Sequence, residues 1–159
     1  MKHLLCFLSI ALLFVSCGRS ADDDTVWVCL SIQNKAATKI YVETNFPTSI
    51  TSQAVPCEGV LAFRQSISIF GYDIMRRVRT YEDFLPQILS YYPDAEVSIY
   101  SVNEDQTKGE LLLSCSLSEI PADVWGWEYT HIHFYNPNEY PWALHLGFAW
   151  NGKELTNGL

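Results

Sequence analysis

Apolar and polar residues alternate in this chain over one short stretch after another. A period of two is the signature of strands that bury one face. Thr25-Val26-Trp27-Val28-Cys29-Leu30-Ser31-Ile32 puts Val26, Val28, Leu30 and Ile32 on one side. Lys39–Thr44, Val60–Phe63, Ser66–Phe70, Glu96–Val102, Glu110–Cys115, Trp127–Tyr135 and Ala143–Trp150 read as further strands. The polar stretch Gln33–Ala37 between the first two suggests that they form a hairpin. Two prolines make Asn136–Pro141 a loop between the last two. One segment, Thr80–Leu89, has helical spacing, with Tyr81, Phe84, Leu85, Ile88 and Leu89 on one face. Thr80 or Asp83 is its N-cap, and a shorter turn starts near Ser118. No repeat of 20 to 50 residues is present, which excludes a solenoid or a propeller. The pattern predicts a mainly β chain: a single antiparallel β-sandwich of about eight strands, with one or two short helices, over residues 25–159.

The first residues follow a different logic. Met1-Lys2-His3 precedes an apolar run from Leu4 to Val15. That run is too short for a bilayer-spanning helix, which takes about 20 residues. A basic start, a short apolar stretch and small residues at its end describe a secretory signal. Phe14-Val15-Ser16-Cys17-Gly18 resembles a bacterial lipobox, with Phe14 where Leu is usual. The resemblance implies that residues 1–16 are a signal peptide and that Cys17 becomes a lipidated N-terminus carrying acyl chains such as palmitate. Ordinary cleavage after Gly18 or Ser20, without lipid, is the alternative. Residues 17–24 then form an acidic tether. Its Asp22-Asp23-Asp24 is similar to the export signal that sends lipoproteins of Bacteroidota-type bacteria to the outer face of the outer membrane.

Further stretches are similar to small uncharacterised lipoproteins of Bacteroidales. They are Asn34–Ser49 (NKAATKIYVETNFPTS), Thr80–Phe84 leading to Val97–Tyr100, and Leu117–Ile120 before a Trp-rich strand. This resemblance spans most of the chain after the leader. It implies a β-rich, surface-located domain anchored to the outer membrane through lipid on Cys17. It transfers no functional residue.

Composition narrows the partners. The 159 residues carry a formal charge of −8 and are 48% hydrophobic. A disordered chain would be poorer in apolar residues. A nucleic-acid binder needs a basic surface to neutralise phosphates, so no nucleic-acid partner is expected. Of five cysteines, Cys6 would leave with the signal and Cys17 would take lipid. Cys29, Cys57 and Cys115 remain, as one disulfide plus a thiol or as three thiols. None lies in a C-x-x-C pair. The chain also has no phosphate-cradling Gly-rich loop, nucleophile elbow or dinucleotide fingerprint.

Two residue groups are candidates for function. Trp125, Trp127 and Tyr129 alternate and so line one side of a strand, and Trp142 stands just before the next. Exposed rings of this kind are platforms for sugar rings or anchors for a protein. The competing reading is that they fill the core. Leu144, Leu146 and Phe148 are expected in the opposite phase. The second group is His131 and His133, two residues apart on a strand, with His145 on the next. Three imidazoles on one face would hold zinc with a position open for water, as in a small zinc-dependent hydrolase. Arg76, Arg77 and Arg79 form a small basic patch whose default is a solvated loop, with anion or partner contact as the sharper option. The leading expectation is a binding or assembly domain for a protein or a glycan, with no cofactor. The zinc hydrolase is the alternative.

Overall fold

The computed structural model of the chain describes residues 25–50, 55–131 and 142–159, and only the backbone of residues 72–74. The leader, the tether with Cys17, and His133 lie outside the described residues. Nine strands are described: β1 (Thr25–Asn34), β2 (Ile40–Pro47), β3 (Pro56–Leu61), β4 (Ser66–Arg76), β5 (Glu96–Val102), β6 (Lys108–Ser116), β7 (Gly126–His131), β8 (Trp142–Trp150) and β9 (Leu155–Asn157). Helix α1 (Tyr81–Tyr91) stands between β4 and β5, and two 3-10 turns, Leu117–Glu119 and Ala122–Val124, lead into β7. Among the described residues no helix is long and apolar enough to cross a membrane.

The strands make two sheets. One has the order β4-β1-β8-β7, with β9 also paired to β8, and the other the order β3-β2-β5-β6. The inward phase of each strand meets in a single cluster. Val26, Val28, Leu30 and Ile32 of β1 and Leu144, Leu146 and Phe148 of β8 pack with Ile40 and Val42 of β2 and Val97 and Ile99 of β5. This is the β-sandwich that the alternation predicts, since two half-apolar sheets can only dry their apolar faces against each other. The outward phase of the second sheet is mixed, with Leu111 exposed opposite Tyr100. There Lys108 bonds Glu43 at 2.8 Å and lies over the Tyr100 ring.

Two relationships differ from the sequence expectation. β1 and β8 run parallel, from Trp27 opposite Ala143 to Asn34 opposite Trp150. A parallel pair requires a long crossover, and most of the chain serves as that crossover here, so no local pattern announces it. The expected hairpin of the first two strands is also not formed, because β1 and β2 belong to different sheets. Asn34 is the physical reason. Its fully buried side chain donates to the Thr38 and Leu61 carbonyls at 2.8 and 3.0 Å and accepts from the Ala36 N–H at 2.9 Å. The turn closes around this amide, and the chain passes from one sheet to the other.

Helix α1 starts at Thr80, the first of the two caps the sequence allows. Asp83 N–H donates to the Thr80 hydroxyl, and the Asp83 carboxylate accepts from the Thr80 and Arg79 N–H groups at 3.2 and 3.0 Å. This capping box satisfies amides that a helix start would otherwise leave open. Pro86 falls inside the helix, and its ring is exposed. Phe84 and Ile88 are buried, with Phe84 edge-on to both Phe70 and Trp125. That anchorage holds the helix against β4 and against Trp125, which immediately precedes β7.

Candidate aromatic binding site

The site is built on β7, an edge strand. Alternation puts Trp127, Tyr129 and His131 on one side of it, with Trp125 just before. Trp127 pairs with Leu146, Tyr129 with Leu144 and His131 with Trp142. Directly opposed residues of an antiparallel pair share a face. The aromatic side is therefore the inner side of the sheet, shared with Leu144, Leu146 and Phe148 rather than opposite to them. Register decides this, and a one-residue change reverses it. Residues 132–141, which connect the two strands in sequence, lie outside the described residues.

Of Trp125, Trp127 and Tyr129, two are covered by a stacked second ring. Tyr81 of α1 stacks on Trp125, with centroids 5.6 Å apart and planes 9° apart. Trp142 stacks on Tyr129 at 4.9 Å and 5°, and His131 meets Trp142 edge-on. Trp127 stands between the two stacks, and no ring among the described residues covers it. It is 45% exposed, while Trp125 is 3% exposed. Trp125 thus belongs to the core. Its indole N–H donates to the Ile120 carbonyl, and Phe148 packs edge-on against it. Tyr129 and Trp142 are half-buried supports. Of the four aromatic residues singled out in the sequence, Trp127 is the one that offers a free face.

Burial raises the Tyr129 phenol above its ordinary value, and the charge of Arg79 pulls it the other way. Tyr81, two residues on from Arg79, stacks on Trp125. The sequence pattern puts Tyr81 on the apolar face of the helix and gives Arg76, Arg77 and Arg79 a solvated loop as the default, with anion or partner contact as the sharper option. Helical spacing does not show which ring Tyr81 meets across the fold.

His131 and His145 do not share the expected face, and His133 lies outside the described residues. His145 pairs with Glu128, whereas His131 pairs with Trp142. Glu128 and His131 are three residues apart on one strand, so His131 and His145 project from opposite faces. His145 instead lies in a row across the outer face of its sheet, with Cys29 opposite it on β1 and Glu128 opposite it on β7. Among the described residues, no group of three His, Cys, Asp or Glu is placed to hold a metal ion. Cys29, Cys57 and Cys115 are all free thiols. Burial pushes the Cys57 and Cys115 thiols up, which keeps them protonated and poorly nucleophilic.

Two clefts lie elsewhere. One, of about 470 Å³, is lined by Leu113, Cys115, Asp123 and Lys153–Asn157. Another, of about 400 Å³, is lined by residues including Lys39, Asn103, Leu112 and Trp150. Neither is lined by an aromatic-site residue. No protein-family model matches the chain, and no curated protein and no solved structure matches it.

Proposed function

We propose that this chain is a lipoprotein held at the outer membrane, facing the cell exterior, through lipid on Cys17, and that its β-sandwich binds a protein or glycan ligand at the Trp127 site. The anchoring half of this reading rests on the lipobox-like Phe14–Gly18 and the acids Asp22–Asp24 that follow. The binding half rests on one observation: Trp127 keeps 45% of its surface exposed between two stacked ring pairs on an edge strand. A large apolar ring left uncovered costs solvation free energy, about 25 cal/mol per Å², that a covering ligand recovers. The neighbouring stacks hold the indole's surroundings rigid, so little ordering entropy is lost on binding. An open platform of this shape suits recognition better than chemistry, which needs a concave site with convergent polar groups.

The test presents glycans and candidate outer-membrane proteins to the full-length chain, with Trp127→Ala as the comparison. A ligand bound by the native chain and lost on Trp127→Ala supports the reading. A ligand bound equally by both variants places recognition elsewhere and overturns it.

A further inference from the structure

We propose that the outer edge of β6 takes a short, extended, lysine- or arginine-bearing segment of a partner protein as an added strand. The inference goes beyond the Trp127 reading and concerns the other sheet. β6 ends the order β3-β2-β5-β6, and among the described residues no strand pairs with its outer edge. A strand in that position turns every second N–H and C=O away from its neighbour, where another extended chain can meet them. The stretch Leu113–Ser116 is regular and pairs residue by residue with Glu96–Ile99. Ile99 then pairs with Leu113 and Tyr100 with Leu111, so Leu112 is a bulge. The bulge ends the regular edge and limits the added strand to a few residues. Two adjacent leucines stand in solvent there, Leu111 56% and Leu112 46% exposed. A covering chain recovers their solvation cost.

The cleft on the inner side of this edge selects the partner. It is lined by Leu113 and Cys115 of β6, by Val124 and Leu155 as apolar walls, and by the carboxylates of Asp123 and Glu154. Its volume of about 470 Å³ is in the range that ligand sites occupy. A lysine or arginine of the added strand lays its stem along the apolar walls and brings its cation to the carboxylates. The charge around the edge favours the same partner. Glu110 lies on β6, Glu104 and Asp105 in the turn before it, and Glu119 in the turn after it. Of the nearby lysines, Lys108 is held by Glu43 at 2.8 Å, while Lys39 and Lys153 each line one of the two clefts. A second copy of this chain brings the same acidic edge and a formal charge of −8. Like charge repels it where a basic segment is drawn in.

The experiment titrates the full-length chain in an uncharged detergent with a peptide of about six residues that alternates lysine and valine. One control has glutamate in place of lysine. The other is the lysine peptide N-methylated throughout, which keeps its charge but has no backbone N–H to donate. The lysine peptide should bind about tenfold or more tighter than either control. Leu112→Lys, and separately the pair Asp123→Lys and Glu154→Lys, should each weaken it about tenfold. Alkylation of Cys115, which lines the cleft, should slow about tenfold at a peptide concentration about ten times the Kd. No binding of the lysine peptide at about 1 mM overturns the inference. Equal binding of the lysine and glutamate peptides overturns the basic partner. Binding that survives N-methylation, or that leaves Cys115 as reactive as before, overturns strand addition at this edge. Binding lost on Trp127→Ala but kept by Leu112→Lys assigns the peptide to the Trp127 site, which overturns this inference and leaves that reading standing. Concentration-dependent dimerisation abolished by Leu112→Lys, without affinity for the peptide, gives the edge to a second copy and overturns the partner.

Discussion

Tyr129 and Trp142 stack with their ring planes 5° apart and centroids 4.9 Å apart, although they come from two strands and are not directly opposed. A diagonal pair of this kind ties β7 to β8 near the end of β7 and the start of β8. Offset-stacked rings contribute about 1 kcal/mol beyond their area burial. A double-mutant cycle of Tyr129→Leu and Trp142→Leu, read by urea denaturation, should return a coupling of about that size. Additive single effects would mean that the rings do not stack in solution.

The charge of Arg79 has its own signature in the alkaline titration of Tyr129. Tyr129 holds its proton more tightly in the fold than its ordinary value of 10.0, because burial outweighs the opposing Arg79 charge. A phenol raised in the folded state contributes stability at neutral pH and loses it as the pH climbs through the folded value. Stability should therefore fall on the alkaline side, and Tyr129→Phe should remove this share of the fall. Arg79→Gln takes away the opposing cation and should move the Tyr129 titration still higher. A phenolate difference titration, each variant measured against its Tyr129→Phe counterpart, checks this. An unmoved titration would separate Arg79 from Tyr129.

The parts legible in the sequence are those governed by local periodicity. Glu96–Val102 appears with the predicted bounds, and Thr80 caps the helix that the apolar spacing marks out. Strand existence depends on neighbours two residues away, and a helix start on neighbours three away, so both leave a pattern. The parallel pairing of β1 with β8 and the side on which Trp127 lies depend on residues more than 100 positions apart or on hairpin register. Residue types do not encode these distances. Trp125 and Trp127 illustrate the limit, because identical side chains two residues apart end as core and as surface. The difference comes from Tyr81, Phe84 and Phe148, which all pack on Trp125, whereas no ring among the described residues packs on Trp127.

Asn34 is the polar residue on which the crossing between sheets depends. Replacing it with Ala would leave the Thr38 and Leu61 carbonyls and the Ala36 N–H without their partner. Buried groups stripped in this way cost about 1–3 kcal/mol each. A loss of about 3 kcal/mol or more in urea denaturation is expected. Asn34→Asp, though nearly the same shape, should be no better, because it turns an acceptor toward two carbonyl oxygens. Near-native stability of either variant would show that the turn does not need its amide.

Thr80→Ala should cost about 1 kcal/mol by removing the hydroxyl that receives the Asp83 N–H. Thr80→Ser keeps an N-cap hydroxyl and should stay close to native. The same change loosens the helix start that carries Tyr81 onto Trp125, so any ligand of the neighbouring Trp127 site should bind Thr80→Ala more weakly than Thr80→Ser. Equal stability of Ala and Ser at this position would mean that Asp83 alone holds the helix start.

Anchoring should be separable from folding, because Cys17 and the acids after it precede the first strand at Thr25. Each buried methylene of an acyl chain contributes about 0.8 kcal/mol, so two or three chains hold a protein at a membrane effectively permanently. Cys17→Ala should therefore move the protein from the membrane fraction to the soluble fraction with an unchanged denaturation midpoint. Substituting Asp22, Asp23 and Asp24 with Asn should leave it in the membrane fraction but remove its exposure to protease added to intact cells. Membrane retention of Cys17→Ala would overturn lipid anchoring. Continued surface exposure of the triple Asn variant would instead leave the anchor standing and place the export information outside the acidic tether.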